Sequence, residues 1–323
     1  MAPTLLVLAA GMGSRYGGLK QIDPVGPSGE ALLDYAVFDA IRAGFGRVVF
    51  VIRREFEDAF RSSVASKFSG RIAFECVFQS TDDLPGGCAV PAGRERPWGT
   101  GHAVWCARAA LDGPFAAINA DDFYGAGSFS RLRGFLEGAR GPRFALVGFR
   151  LADTLSEGGT VSRGVCRQRD GLLLSISEER AIGRTDVGPG GRFSGEEIVS
   201  MNCWGFTPAV FPGLEAGLRE FLAANAADPG AEFYLPAAVS ALVRDGAASV
   251  EVLPGGDAWF GITHRDDRAR VAAAIAALVR QGAYPSRLFA CGRPRRSVRA
   301  SREQEPHALD RGLADRGQRE RRP

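Results

Sequence analysis

An α/β fold, with a mixed and mostly parallel sheet covered by helices, is predicted by three observations. Strand-like and helix-like segments alternate through the first half of the 323 residues, the rhythm of successive βαβ units. The first such segment, Leu5–Ala9, is apolar at every position, as expected of a strand buried on both faces. That run leads into a Gly-rich turn at Gly11-Met12-Gly13, the kind of strand end beyond which parallel sheets hold their ligands.

The elements follow in order. Residues 31–43 carry apolar side chains at helical spacing and stop at Gly44, a helix C-terminal signal. Strands are predicted over 47–52, 72–79, 115–120 and 144–150, with helices over 55–67, 101–111 and 129–137. In the more mixed second half, strands are expected at 161–167, 172–177 and 198–206, with Asp170-Gly171 turning between the first two. Residues 183–195 read as an exposed loop. Helices at 214–224 and 235–243, strands at 250–253 and 259–262, and a helix at 267–281 follow. After Leu288 the apolar periodicity is lost. Residues 290–323 hold ten arginines against five acidic residues and are expected to form a disordered, solvated tail.

Composition narrows the function classes. Hydrophobic content of 45% and charged content of 24% are those of a soluble globular domain long enough to bury a core. The net charge of +3 is more than accounted for by the tail, so the remainder is near neutral and carries no nucleic-acid footprint. The apolar start is too short for a membrane span and lacks the basic region of a signal peptide. Cys76, Cys88, Cys106, Cys166, Cys203 and Cys291 form no C-x-x-C pair. They read as buried free thiols in a reducing, cytoplasmic compartment. With only His102, His264 and His307, a zinc site is not expected.

The Gly-rich turn is followed by Arg15 and Lys20. Lys20 and Lys67 are the only lysines among 40 basic residues. A compact ammonium is not interchangeable with a planar guanidinium, which makes Lys20 a candidate for chemistry. Gly11 and Gly13 permit tight curvature and close backbone approach to a phosphate. Two common schemes do not fit. A dinucleotide fingerprint needs its third glycine one position before Gly17, and Arg53-Arg54 stand where an acidic ribose ligand belongs. A P-loop needs Ser or Thr after its lysine, and Gln21 follows Lys20.

Leu8-Ala9-Ala10-Gly11-Met12-Gly13-Ser14-Arg15 with Lys20 resembles the G-x-G-x-R…K signature of sugar-phosphate nucleotidyltransferases. The resemblance implies one Rossmann-like domain of the nucleotide-diphospho-sugar transferase type over residues 1–289. Its nucleotide-binding half would span about 1–150 and its substrate lobe about 151–289. It further implies that the backbone at Ala10, Gly11 and Gly13 cradles a nucleoside triphosphate whose phosphates Arg15 and Lys20 neutralise. Gln79 and Pro97-Trp98-Gly99-Thr100-Gly101-His102-Ala103 resemble the Q…G-T-G-H-A element of N-acetylglucosamine-1-phosphate uridyltransferases and bacterial UDP-glucose pyrophosphorylases. There the Gln and the Gly backbone read a pyrimidine, which implies UTP or dTTP as donor and base contacts at Gln79, Gly99 and Thr100. The insertion Ser80–Arg96 is longer than usual, and His102 reads as a packing or capping residue rather than a catalytic base.

Ile118-Asn119-Ala120-Asp121-Asp122-Phe123-Tyr124-Gly125 resembles the G-D-N-x-x-Y-G segment of glucose-1-phosphate thymidylyltransferases. The match implies Mg2+ on Asp121, an ion suited to carboxylate and phosphate oxygens. The second half matches more loosely. Arg163-Gly164-Val165 resembles a segment whose Gly164 approaches the sugar. Glu179-Arg180 resembles E-K-P, implying sugar hydroxyls on Glu179 and the acceptor phosphate on Arg180. Met201-Asn202-Cys203-Trp204-Gly205-Phe206 resembles N-x-G-I-Y and puts Asn202 at the substrate, while Ala231-Glu232-Phe233-Tyr234-Leu235 resembles G-E-Y-Y-L. Trp259-Phe260-Gly261-Ile262-Thr263 stands where relatives carry W-x-D-x-G, without its metal-binding Asp; either Thr263, Asp266 or Asp267 replaces it or Asp121 serves alone.

The implied reaction joins a nucleoside triphosphate to a sugar 1-phosphate or another phosphorylated small molecule and releases pyrophosphate. Two alternatives stay open. One is cytidylyl-type transfer to a non-sugar acceptor such as phosphocholine or a phosphonate, with Trp204, Phe206 and Trp259 as a candidate aromatic cage. The other is a non-catalytic nucleotide sensor.

Overall fold

Side chains of a strand leave on alternate faces, so a strand apolar throughout feeds two separate cores. β1 (Thr4–Leu8) is buried at all five positions. Its Leu5 and Val7 join one apolar cluster, and Leu6 and Leu8 join another on the opposite face. The computed structural model describes residues 2–11, 23–255, 258–262 and 267–289. Gly13, Arg15, Lys20, Thr263, Asp266 and the tail 290–323 lie outside the described residues. Met1–Phe289 form one compact unit.

After β1 the chain runs α1 (Leu32–Ala43), β2 (Arg47–Ile52), α2 (Glu57–Phe68), β3 (Ala73–Phe78), α3 (Thr100–Cys106), β4 (Phe115–Asn119), β5 (Asp122–Phe123) and α4 (Ala126–Gly138). It continues with β6 (Arg143–Arg150), β7 (Val161–Arg169), β8 (Leu172–Ile182), β9 (Ile198–Phe206), α5 (Val210–Ala224), α6 (Leu235–Arg244), β10 (Ser249–Pro254), β11 (Phe260–Gly261) and α7 (Asp267–Arg280). The nine-stranded sheet has the order β3-β2-β1-β4-β9-β6-β10-β8-β7. β3, β2, β1 and β4 are parallel, as are β6 and β10. β9 lies antiparallel to both β4 and β6. The core is therefore mostly parallel in direction, with β9 reversed. β7 also pairs with β9, which closes β9, β6, β10, β8 and β7 into a ring.

α1 shows how local sequence sets an element. Its Asp34 accepts the Ala31 N–H at 2.9 Å and so caps the first turn. Gly44, at φ +88°, closes the helix in the left-handed conformation. The second lysine of the chain is explained here. Lys67 donates to Asp34 Oδ2 at 2.6 Å, and the Asp34 side chain is only 1% exposed. Burial pushes the Asp34 carboxyl up, and the Lys67 ammonium pulls it back.

Most boundaries differ from the sequence reading by a few residues. The helix predicted from Phe129 begins at Ala126, and the one predicted from Leu214 begins at Val210. The helix expected at 55–67 opens as a single 3-10 turn over Arg54–Phe56. The hairpin strands β7 and β8 reach Arg169 and Ile182, beyond their apolar cores. β5 went unread because two residues carry no period. It pairs antiparallel with β11, and α7 packs Val271 and Ile275 over this pair in a third cluster with Tyr35, Phe123 and Ile262. The five described cysteines are free. Cys106, Cys166 and Cys203 are buried, whereas Cys76 and Cys88 are only partly so, which corrects the expectation of uniformly buried thiols. Among the described residues no helix is long and apolar enough to cross a membrane.

Candidate active site

Parallel strands put their carboxyl ends on one edge of the sheet. Leu8 on β1 is in register with Val51 on β2 and Asn119 on β4. The loops beyond are tied together by Ala9 N–H to Val51 O at 2.8 Å, Gln79 N–H to Ile52 O at 2.9 Å and Ala120 N–H to Leu8 O at 3.1 Å. Ala10, Gly11, Gln79 and Asp121 therefore gather at one edge. Ala10 is buried, while Gly11 is exposed, and a Cβ on Gly11 would meet nothing within 4 Å.

The corner beyond β3 is shaped by long-range contacts. Gly99 has φ +97° and ψ −177°, a conformation reserved for glycine. A Cβ there would lie 2.8 Å from the Phe233 carbonyl oxygen, and one on Gly101 would lie 2.6 Å from the Phe233 ring. Gly101 N–H donates to Phe233 O at 2.8 Å, Phe233 N–H to Trp98 O at 2.6 Å, and Leu235 N–H to Thr100 Oγ1 at 3.0 Å. The glycines of this element thus admit the 231–235 segment. Thr100 spends its hydroxyl oxygen capping α6. The Ser80–Arg96 insertion is stapled down by Arg94, which is buried, stacks on Trp98 at 4.0 Å and donates to Pro229 O and Ala231 O at 2.8 Å.

Gln79 is 7% exposed. Its Nε2 donates to Gly99 O at 2.9 Å and lies 3.2 Å from His102 Nδ1. His102 Nε2 lies 2.7 Å from Asp83 O. Desolvation pulls the His102 imidazole below its ordinary 6.5, partly offset by the Asp83 carbonyl.

A polar network centres on Asn119 and Asp122, on either side of the turn that holds Asp121. Asn119 Nδ2 donates to Asp122 Oδ2 at 2.9 Å, and Asn202 Nδ2 donates to Asn119 Oδ1 at 3.3 Å. Trp204 Nε1 donates to Asn202 Oδ1 at 3.2 Å. The Tyr124 hydroxyl accepts from Asn119 N–H at 3.1 Å and shares its proton between Met201 O at 2.8 Å and Asp122 Oδ2 at 3.1 Å. Asn202 holds φ +56° at a bulge in β9, a conformation Asn tolerates better than most residues. Asn202 is therefore brought beside Asp121's strand, with its amide oxygen already committed. Asp121 itself is half-buried in the turn after β4, and its carbonyl accepts Ile262 N–H at 3.4 Å.

The segment that lacks the W-x-D Asp has a structural reason. A Cβ on Gly261 would lie 2.5 Å from the Trp259 ring and 2.6 Å from Asp122 Oδ1. The space that an Asp would need is filled. Asp267 is buried, accepts from Ser156 Oγ at 3.3 Å and opens α7, so it is positioned as a structural acid. Among the described residues no group of three or more His, Cys, Asp or Glu gathers to hold a metal ion.

On the lobe side the structure corrects one expectation. Consecutive strand residues face opposite sides, so Glu179 and Arg180 do not form one ligand pair. Glu179 bonds Ser177 Oγ at 3.0 Å and Arg192 at 3.1 Å. Glu178 is the acid on the Arg180 face. It lies opposite Gly164 in the hairpin, with its Oε2 3.8 Å from where a Gly164 Cβ would be. Burial raises the Glu178 carboxyl, and Arg180 and Arg163 pull it back. Tyr234, 40% exposed, bonds Glu232 and lies within electrostatic reach of Glu178 and Arg180. Counting by two from Arg180 would have found Glu178, whereas Tyr234 and Glu232 carried only a loose motif match.

Arg163 is not a surface ligand. It is buried, donates to Thr154 Oγ1 at 3.1 Å, to Thr154 O and to Ser162 O at 2.9 Å, and lies 5.3 Å over the Trp259 ring. The aromatic cage also fails. Trp204 and Phe206 are 0% exposed and stacked on each other, and Trp259 is 6% exposed. They are core residues, closed to a quaternary ammonium.

The architecture is that of the nucleotide-diphospho-sugar transferases, an α/β fold with a mostly parallel core sheet. The particular structures it is similar to make the comparison concrete. A UDP-glucose pyrophosphorylase complexed with UDP-glucose aligns with TM-score 0.56 and 17% identity over 86% of this chain and 99% of that one. The inositol-1-phosphate CTP transferase from T. maritima aligns with TM-score 0.61 and 14% identity over 86% and 96%. A Bacillus anthracis protein assigned as a glucose-1-phosphate thymidylyltransferase, in complex with a sucrose, aligns with TM-score 0.60 and 13% identity over 85% and 95%. No protein-family model and no curated protein sequence matches the chain.

Proposed function

We propose that this protein is a nucleotidyltransferase that transfers a nucleoside monophosphate from a triphosphate to a phosphorylated small molecule and releases pyrophosphate. UTP or dTTP is the favoured donor and a sugar 1-phosphate the favoured acceptor. The observation that carries the reading is that Gly11, Gln79 and Asp121 lie beyond the carboxyl ends of β1, β3 and β4, on one edge of the parallel part of the sheet. The three similar structures are named as a UDP-glucose pyrophosphorylase, an inositol-1-phosphate CTP transferase and a glucose-1-phosphate thymidylyltransferase, which supports the class.

In this reading the acceptor phosphate, already anionic, attacks the α-phosphorus, and pyrophosphate leaves. No general base is required. The protein's task is positioning and charge neutralisation. Arg15 and Lys20 would stabilise the triphosphate, and Arg180 with Glu178 would hold the acceptor. In this reading Asp121 would offer a carboxylate to Mg2+, beside Asp122, which is bonded to Asn119 and Tyr124. A hard ion held mostly by phosphate and water needs no more. When bound, it would screen the charge of the phosphate oxygens.

A panel of triphosphates with candidate phosphate esters, read by Mg2+-dependent pyrophosphate release, tests the proposal. Release with UTP or dTTP and a sugar 1-phosphate is expected. No release with any pair would leave the nucleotide-sensor reading, which the Gly261 substitution in the W-x-D element favours. A preference for ATP or GTP would remove the base-reading role of Gln79.

A further inference from the structure

We infer that His102 is a positioning residue for nucleobase selection. Together with the Gly99 carbonyl, it locks the Gln79 side-chain amide so that only the amide oxygen is offered to the base. The inference rests on the base-reading role proposed for Gln79.

The geometry fixes each hydrogen in turn. The Asp83 carbonyl can only accept, so at 2.7 Å it requires the proton of His102 on Nε2. Nδ1 is then a lone pair, and at 3.2 Å it accepts from Gln79 Nε2. The second Nε2 proton of Gln79 goes to Gly99 O at 2.9 Å. Both amide protons are committed. Rotating the amide would set its oxygen against two acceptors, the Gly99 carbonyl and the Nδ1 lone pair. His102 is 0% exposed, and burial holds it neutral.

This arrangement gives the long insertion after β3 a purpose. Asp83 belongs to Ser80–Arg96, and its carboxylate is gripped by Arg108 at 3.0 and 3.2 Å, with the guanidinium 3.5 Å over the Trp105 ring. The insertion therefore holds steady the carbonyl that sets the His102 tautomer. An acceptor-only Gln79 matches the N3–H of uracil or thymine. It meets the N3 lone pair of cytosine and cannot rotate to relieve the conflict. The inferred substrate class is a donor whose base carries an N3–H, with CTP disfavoured by the same lock.

The test is the ratio of kcat/KM for UTP to that for CTP, which is insensitive to the fraction of protein that folds. His102→Leu removes the acceptor, and the ratio is expected to fall about fivefold, the worth of one buried hydrogen bond. His102→Asn restores an acceptor at the Nδ1 position through Oδ1, and the ratio is expected to stay within about twofold of the parent. Gln79→Ala should lower it at least as far as His102→Leu. A ratio unchanged in His102→Leu but lowered in Gln79→Ala overturns the positioning role alone. Equal losses in His102→Leu and His102→Asn also overturn it. A ratio unchanged in Gln79→Ala overturns the base-reading proposal beneath it. Independently of any variant, imidazole 15N shifts of the intact protein, which has three histidines, should show His102 protonated at Nε2 and bare at Nδ1. A proton on Nδ1 overturns the inference.

Discussion

The first and second halves of the compact unit place their candidate residues by different geometries. In the first half, Gly11, Gln79 and Asp121 each follow the last residue of a parallel strand, so one edge of the sheet collects them whatever way each side chain points. In the lobe, Gly164, Glu178, Arg180 and Asn202 lie within strands β7, β8 and β9. There a shift of one residue moves a side chain to the other face. A motif at a strand end therefore tolerates loose alignment, whereas one on a strand face does not. The exchange of Glu179 for Glu178 is the direct consequence.

The largest effects are expected at the strand-end motifs. Lys20→Ala and Asp121→Asn should each lower turnover on the order of 10²–10³-fold while the melting temperature stays nearly constant. Steady-state pyrophosphate release beside thermal melting checks this. Turnover like that of the parent in either variant would show that the strand-end reading fails even where it is most tolerant.

The lobe offers the sharper contrast. Glu178→Gln should lower kcat/KM for the acceptor about tenfold, as expected when a hydrogen bond to a charged group is weakened. Glu179→Gln, which loosens the contacts with Arg192 and Ser177, should change it less than about twofold. The reverse ranking would mean that β8 presents its other face to the substrate.

A smaller effect separates the two halves from the seam that joins them. Gly99→Ala forces a side chain into a glycine-only conformation and against the Phe233 backbone. The expected cost is about 2 kcal/mol of stability, or a fall of about 4 °C in melting temperature. A melting temperature equal to the parent's would show that this glycine is kept for a ligand rather than for the 231–235 segment.

The sequence by itself determined the alternation of strands and helices, the stop at Gly44 and the strand ends that carry Gly11 and Asp121. These are local properties. An apolar run ends where its own pattern ends, and a glycine signals its own backbone. Only the tertiary structure decided which polar groups remain available. Thr100 Oγ1 caps α6 and the Asn202 amide is bonded to Asn119 and Trp204, which leaves each only part of its capacity for a ligand. His102 is buried, as a packing residue should be, but it also stands between Gln79 and the Asp83 carbonyl. Trp204, Phe206 and Trp259 looked like a cage and are core. A side chain's remaining hydrogen-bonding capacity depends on what distant chain folds against it, and the one-dimensional order of residues does not contain that partner.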